Sequence, residues 1–419
     1  MLKLKQLSLL LMLTASLAQA AQDSWEDESW GDDWIEEETA LSPWQTHGFI
    51  QYSYGDYLKN NPLFVPTDKT LHEIRGQLNV KYSHDSFVIN SKGDLYYDEV
   101  TSNWHFDQRQ LNLATQLGDN LDIKLGRQIL TWGTGDYLFL NDLFPKDWQS
   151  FFAGRDDTYL KAPSDNIKLS YYHKDITFDI VWTPQFTPDN YLTGERFSFY
   201  SPLSQSHVAP HKAFKVIEQD NSQLAGRIKW QYNNIEMAIY GYNGYLTTPN
   251  GVTSDGQFFF PKMNSLGASF ISPTSKGILK GELAHYNISQ LQNQSNSHSQ
   301  DQTRILIGYE QELIKDLTAS TQLYVEHNEQ TNLINRKNRT LVTLRLNYTM
   351  WQQTLNASVF VFYSPSDKDA YIKPNMTYKY NDDWHFSLGA NLFMGKHHYS
   401  FFGQHQDNSN AWVNIKWNY

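Results

Sequence analysis

Charged side chains recur on one parity of an alternating pattern, and they are where this chain could do chemistry. Thirteen bases share that parity: Arg75, Lys81, Lys92, Lys124, Lys168, Arg227, Lys229, Lys280, Arg304, Arg345, Lys373, Lys379 and Lys416. Nine acids share it: Glu73, Asp94, Asp122, Asp179, Glu236, Glu282, Glu310, Glu312 and Glu326. In an extended strand, residues two apart point to one side. Such charges either build a potential that favours solutes of one sign or neutralise one another across neighbouring strands. The sequence leaves both open. Candidates for a reaction are few. Cysteine is absent from the 419 residues, which removes thiol chemistry and Cys-ligated metals. His397, His398 and His405 crowd one stretch without the fixed spacing of a metal site, and read as solvated loop residues. No phosphate-cradling glycine loop and no nucleic-acid-like basic patch occurs. The reading is of a chain without catalytic residues, metal or cofactor.

The elements that must position these charges are strands. Eighteen segments of roughly ten residues alternate apolar and polar with period two, the pattern of a sheet wet on one face. Ile176, Phe178, Ile180 and Trp182 face one way, with Thr177 and Asp179 the other way. The fifth segment is read over 120–132. The connections are sorted by parity. After even-numbered segments come tight polar turns such as Gly118-Asp119, Lys174-Asp175 and Asn233-Asn234. After most odd-numbered segments come long loops, the longest at 133–164 and 184–220. That sorting predicts an all-β, antiparallel transmembrane β-barrel of 16–18 strands, with short periplasmic turns and long external loops. A closed barrel also follows from the absence of water in lipid to satisfy an open sheet edge. The setting would be the outer membrane of a Gram-negative bacterium, among its lipid and lipopolysaccharide.

Three regions follow. Residues 1–20 read as a signal peptide, with Lys3 and Lys5, an apolar run from Leu7 to Leu17, and a small-residue cleavage site at Ala18-Gln19-Ala20. Residues 21–46 hold nine acids and no base together with Trp25, Trp30, Trp34 and Trp44. This segment is either a solvated tail, a plug entering the barrel from below, or a docking element for a periplasmic protein. Residues 47–419 form the barrel. In its last strand Ala411, Val413, Ile415, Trp417 and Tyr419 share one face, resembling the terminal strand read by the outer-membrane insertion machinery.

On this reading the listed bases line the lumen. Barrels of 16–18 strands leave an aqueous channel unless a loop fills it. The 133–164 loop is too apolar to sit loose in water, and is expected either to fold inward as a constriction or to cap the mouth. Folded inward, it would place Asp136, Lys146, Asp147, Arg155, Asp156 and Asp157 at the narrowest point. Lumen-parity Tyr96, Tyr172, Tyr240, Tyr242, Tyr324, Phe360 and Phe362 are compatible with an aromatic track.

The run Gly126-Arg127-Gln128 followed by Trp132-Gly133 is similar to the strand-to-loop motif of poorly characterised porin-like outer-membrane proteins, and more loosely resembles alginate-export porins. The resemblance covers about ten residues and implies an 18-stranded passive channel. Strict alternation puts Arg127 on the lipid face; a kink at Gly126 would turn it into the lumen, where it joins the pore-lining candidates. Barrel phospholipases and omptin-type proteases have far fewer strands. The expected function is passive diffusion of small polar solutes, anionic ones among them. The alternative is a non-conducting scaffold whose acidic segment binds a periplasmic partner.

Overall fold

The polar turns close as their chemistry requires. Asn233 and Asn234 both take positive φ, 48° and 62°, the twist of a two-residue type I′ hairpin, and Tyr232 pairs Ile235 across them. In the computed structural model the strands are β1 Trp44–Tyr57, β2 Lys69–His84, β3 Phe87–Asp98, β4 Asn103–Leu117, β5 Leu121–Gln128 and β6 Ser164–His173. There follow β7 Ile176–Thr183, β8 Gln223–Tyr232, β9 Ile235–Tyr245, β10 Lys262–Pro273, β11 Gly277–Ser289 and β12 Ser299–Ile314. The last six are β13 Leu317–Asn328, β14 Asn338–Met350, β15 Leu355–Ser364, β16 Asp369–Lys379, β17 Trp384–Gly395 and β18 Asn410–Asn418. The structure describes residues 42–59, 63, 69–201, 204–208, 215–253, 255–289, 299–330 and 336–419. The signal-peptide reading and residues 21–41 of the acidic segment lie outside them.

Each strand pairs antiparallel with its sequence neighbour, and β1 pairs β18 from Phe49↔Asn418 to Tyr57↔Asn410, so the 18-stranded sheet has no edge. Backbone bonds between Gly48 and Tyr419 extend the seam. Closure is what lets the sheet sit in lipid. Along β1 the alternation is plain: Ile50 and Tyr52 are exposed on the outer wall, while Gln51 and Ser53 are buried inside. Exposed aromatics mark both rims of the apolar band. Trp44, Tyr232, Trp351, Tyr380, Trp384 and Trp417 lie toward the short-turn end; Trp104, Phe106, Trp182 and Tyr363 lie toward the long-loop end.

Two boundaries differ from the sequence reading. Trp44, Gln45 and Thr46 belong to β1, so the acidic segment stops short of them. The strand expected over 120–132 ends at Gln128. Beyond it Leu130 and Trp132 turn inside and bury against Phe144, Val181, Ala225, Ala238 and Tyr240. Apolar burial of two large side chains outweighs two further ladder bonds.

Candidate functional site: the inward loop and its two walls

The connection between β5 and β6, residues 129–163, folds into the barrel. Its one helix, α1 (Trp148–Ala153), begins where Asp147 accepts from Ser150 N at 2.7 Å, and ends at Gly154, whose φ is 87°. A side chain at Gly154 has no room, since a Cβ would lie 2.0 Å from Trp412 of β18. Asp156 caps the next turn through Thr158 N at 3.0 Å.

From β11 round through the seam to β4, the wall grips this loop with polar groups. Glu282 of β11 is the first anchor. Its carboxylate is buried and accepts from Gly135 N at 2.7 Å, Asn141 N at 3.2 Å, Asn141 Nδ2 at 2.7 Å and Thr134 Oγ1 at 3.1 Å, as well as from Thr134 N. Next to it the Tyr286 hydroxyl donates to the Leu140 carbonyl. Asp136 lies 3.0 Å from Lys280 Nζ and 3.6 Å from Arg345 Nη1, and Arg345 also reaches Glu310 at 2.6 Å. Asp157 pairs with Lys373 and accepts from the Tyr137 hydroxyl at 2.6 Å. Asn391 and Asn410 both donate to the Phe152 carbonyl, at 2.9 and 3.0 Å.

The second anchor is an acid–arginine layer on β2 and β3. Glu73 binds Arg155 at 2.6 Å and Arg75 at 3.1 Å; Asp94 binds Arg75 at 2.7 Å and accepts from the Tyr159 hydroxyl at 2.6 Å. The Arg75 guanidinium lies 3.8 Å above the Tyr96 ring. Arg109 of β4 donates to the carbonyls of Thr158 and Lys161, at 3.1 and 2.9 Å. Between the anchors runs an aromatic layer: Tyr137, Phe151 and Phe152 from the loop pack on Phe360, Phe362, Tyr371 and Phe393 of the wall.

The connection between β7 and β8 also braces the loop. Asp189 accepts from Lys146 N at 2.8 Å and from Trp148 Nε1 at 2.9 Å, while burial pushes its carboxyl above the usual range. Arg196 reaches Asp98 of β3. His405, in the last connection, is buried against Phe152 and Phe393, with Nδ1 3.2 Å from the Ser198 carbonyl. Burial holds its imidazole down to about 4.

The sequence-derived residues sort as follows. Arg75, Lys81, Lys92, Lys124, Lys168, Arg227, Lys229, Arg304, Arg345, Lys373 and Lys379 all fall at inward positions. Ion pairs hold Arg75, Arg345 and Lys373 as above, Arg227 with Asp179 at 2.8 Å, Lys229 with Glu236 at 3.3 Å, and Arg304 with Glu326 at 3.4 Å. Lys124 and Lys168 stand directly opposite each other across β5 and β6. Arg127 does not line the lumen. Gly126 takes φ 110°, yet the register runs unbroken through Gly126↔Asn112 and Gly126↔Asn166, so no bulge turns the next residue inward. Arg127 lies on the outer wall, where Nη2 meets Asp165 at 2.8 Å. The six loop residues are brought together, but not as charges facing an opening. Asp136, Arg155 and Asp157 bind the wall, Lys146 is buried on Asp142 at 2.9 Å, and Asp147 and Asp156 cap turns. Tyr240, Tyr324, Phe360 and Phe362, read as compatible with an aromatic track, are buried. Sequence reasoning placed Glu73, Asp94 and Glu282 among the inward acids but did not single them out as anchors of the loop. The Glu73/Arg75 spacing was a usable signal; nothing local marks Glu282, whose partners are mostly backbone.

From β6 to β10 the contact is different in kind. The segment Leu143-Phe144-Pro145 meets Thr183, Gln223, Ala225, Tyr240 and Tyr242, and two adjoining cavities remain between loop and wall. Trp132 sits among them, its ring 5.0 Å from Phe144 and 6.0 Å from Tyr240.

No family model matches this chain, and no curated protein does. The likeness to alginate-export porins therefore gains no support. Solved structures do match. OccAB1 of Acinetobacter baumannii is 8% identical, with 92% of this chain and 99% of that chain covered at a TM-score of 0.56. OccAB4 of the same organism is 10% identical, covering 91% and 99%, at 0.55. The outer membrane protein OpdK of Pseudomonas aeruginosa is 7% identical, covering 90% and 98%, at 0.53. At such identities the likeness is one of fold. The chain has the fold of Gram-negative outer-membrane β-barrels, and its apolar outer wall belongs in that membrane.

Proposed function

We propose that the protein is an outer-membrane channel for passive diffusion of small polar solutes, narrowed by the 129–163 loop. The observation that carries this is the polar interior. An 18-stranded barrel encloses more space than its own inward side chains fill. Here the added filling is a loop tied to the wall by ion pairs and hydrogen bonds rather than by a continuous apolar core. Anionic solutes were expected from the excess of inward bases. The pairing of Arg75, Arg227, Lys229, Arg304, Arg345 and Lys373 with carboxylates weakens that potential, and favours a weakly selective pore.

Planar-bilayer recording tests this. Purified protein should give discrete current steps, with a reversal potential near zero in a salt gradient. A second reading has its own support, because the loop reaches the wall on β2, β3, β11 and β14–β18. On that reading the barrel is a closed scaffold, and the acidic Trp-rich residues from 21 onward engage a periplasmic protein. Absence of current, before and after deletion of residues 21–43, would favour the scaffold.

A further inference from the structure

The cavities between Leu143-Phe144-Pro145 and strands β6 to β10 are lined without a single formal charge. That is unusual in this interior, where the rest of the loop is tied down through carboxylates, guanidinium and ammonium groups. The lining combines aromatic rings, Trp132, Phe144 and Tyr240, with hydroxyls and carboxamides from Thr183, Gln223 and Asn141. Asn141 donates its Nδ2 to Glu282 at 2.7 Å and leaves a buried Oδ1 without a hydrogen-bond partner. Such an acceptor is costly to bury, and here it lies over the Gly267 backbone of β10. The Arg227 guanidinium, 5.1 Å over the Trp132 ring, is neutralised by Asp179. Ring faces that take C–H surfaces, beside neutral donors and acceptors, suit an uncharged solute bearing several hydroxyls. A charged solute would enter with no partner for its charge and would lose its hydration without compensation.

We propose that this neutral cleft is the solute path, and that it selects uncharged polyhydroxylated molecules of the sugar class. The proposal rests on the channel reading. As it stands the cleft admits about one water molecule, so passage requires the 143–145 segment to move off the β7–β9 wall. That contact is uncharged and lacks the ion pairs of the opposite side, so it is the side of the loop able to open.

Swelling of proteoliposomes in a neutral disaccharide, a sugar acid of similar size and an amino sugar tests the selectivity. The neutral sugar should enter at least about threefold faster than either charged one. Because the chain has no cysteine, Thr183→Cys and Thr187→Cys each give a unique labelling site at the cleft. A bulky neutral thiol reagent at either should cut sugar entry about fivefold, and Thr187, outside the strands, keeps the test sound if the Thr183 variant folds poorly. Equal entry of all three solutes, faster entry of a charged one, or sugar entry unaffected by labelling overturns the cleft and leaves the channel standing. No entry of any solute together with no current removes the channel itself.

Discussion

The inward loop meets two walls built on opposite principles. Toward β11, the seam and β3 it is held by buried charge: Glu282 inside a ring of loop N–H groups, Asp136 and Asp157 on wall cations, Arg155 on Glu73. Toward β6–β10 it rests on small and aromatic side chains. Ala225 and Ala238, at inward positions, leave room for Trp132 and Phe144, which pack edge to face. Buried ion pairs are strong evidence of geometry rather than of net stability, since desolvation offsets much of the attraction. What they do supply is a high cost for breaking one side only. Apolar contacts weaken gradually as a loop lifts; a half-broken ion pair leaves a bare charge inside. The two walls therefore set which edge of the loop can move.

The comparison breaks most directly at Glu73. Glu73→Ala takes from Arg155 its close carboxylate and from Arg75 one of its two, inside the barrel, and should cost about 3–5 kcal/mol. The measurement is the denaturant midpoint of the refolded barrel, with single-channel current expected to become larger and noisier as the loop detaches. Glu282→Ala should come next, at about 2–4 kcal/mol, because at least two backbone donors lose their acceptor at once. Limited proteolysis should then cut within 134–142, whereas Ala225→Ser on the neutral wall should leave cleavage unchanged. If both substitutions expose the loop equally, the two walls are not different in kind.

The sequence showed the barrel well and its interior poorly, for a physical reason. Strand parity and turn chemistry are local. Asn233-Asn234 and the alternation through Ile176 and Trp182 need no knowledge of the rest of the chain. The grip on the loop is not local. Glu282 and Thr134 are brought together only by the register of β11 and the inward path of the loop, and a carboxylate that binds backbone N–H groups leaves no partner residue to look for. Arg127 shows the converse. Alternation alone placed it outward, and the glycine before it suggested a kink. The unusual φ of Gly126 is absorbed within an unbroken ladder, because a Cβ there would sit 2.4 Å from the Leu111 carbonyl, and only glycine fits.

His405 offers a gentler perturbation of the charged side, from outside the strands. Its imidazole is held to about 4 by burial, below the usual 6.5. A depressed histidine contributes stability that is complete above the usual value and is lost as pH falls toward the folded one. Between those limits the unfolded loop binds the proton and the folded one does not. The bracing of Phe152 and Ser198 by the last connection should thus weaken by about 2 kcal/mol at pH 5. Hydrogen exchange in residues 396–409 reads this directly, faster at pH 5 than at pH 7 after correction for the intrinsic rate. His405→Gln should remove the difference. Persistence of the pH effect in that variant would assign it to another group.

The smallest effect is expected at Arg127, and it guards the comparison from outside. Its guanidinium and the Asp165 carboxylate are 37% and 62% exposed on the outer wall, each one residue inside the end of its strand. An exposed pair is worth about 0–1 kcal/mol, and near the membrane interface a lone cation costs about as little. Arg127→Leu should therefore shift the denaturant midpoint barely and leave conductance and ion selectivity unchanged. A clear loss of current or a change of selectivity would mean that this side chain reaches the lumen after all. The interior would then hold, beside the Asp179-neutralised Arg227, a second guanidinium on this side of the loop, and the division into a charged wall and a neutral one would fail at the strand that begins the loop.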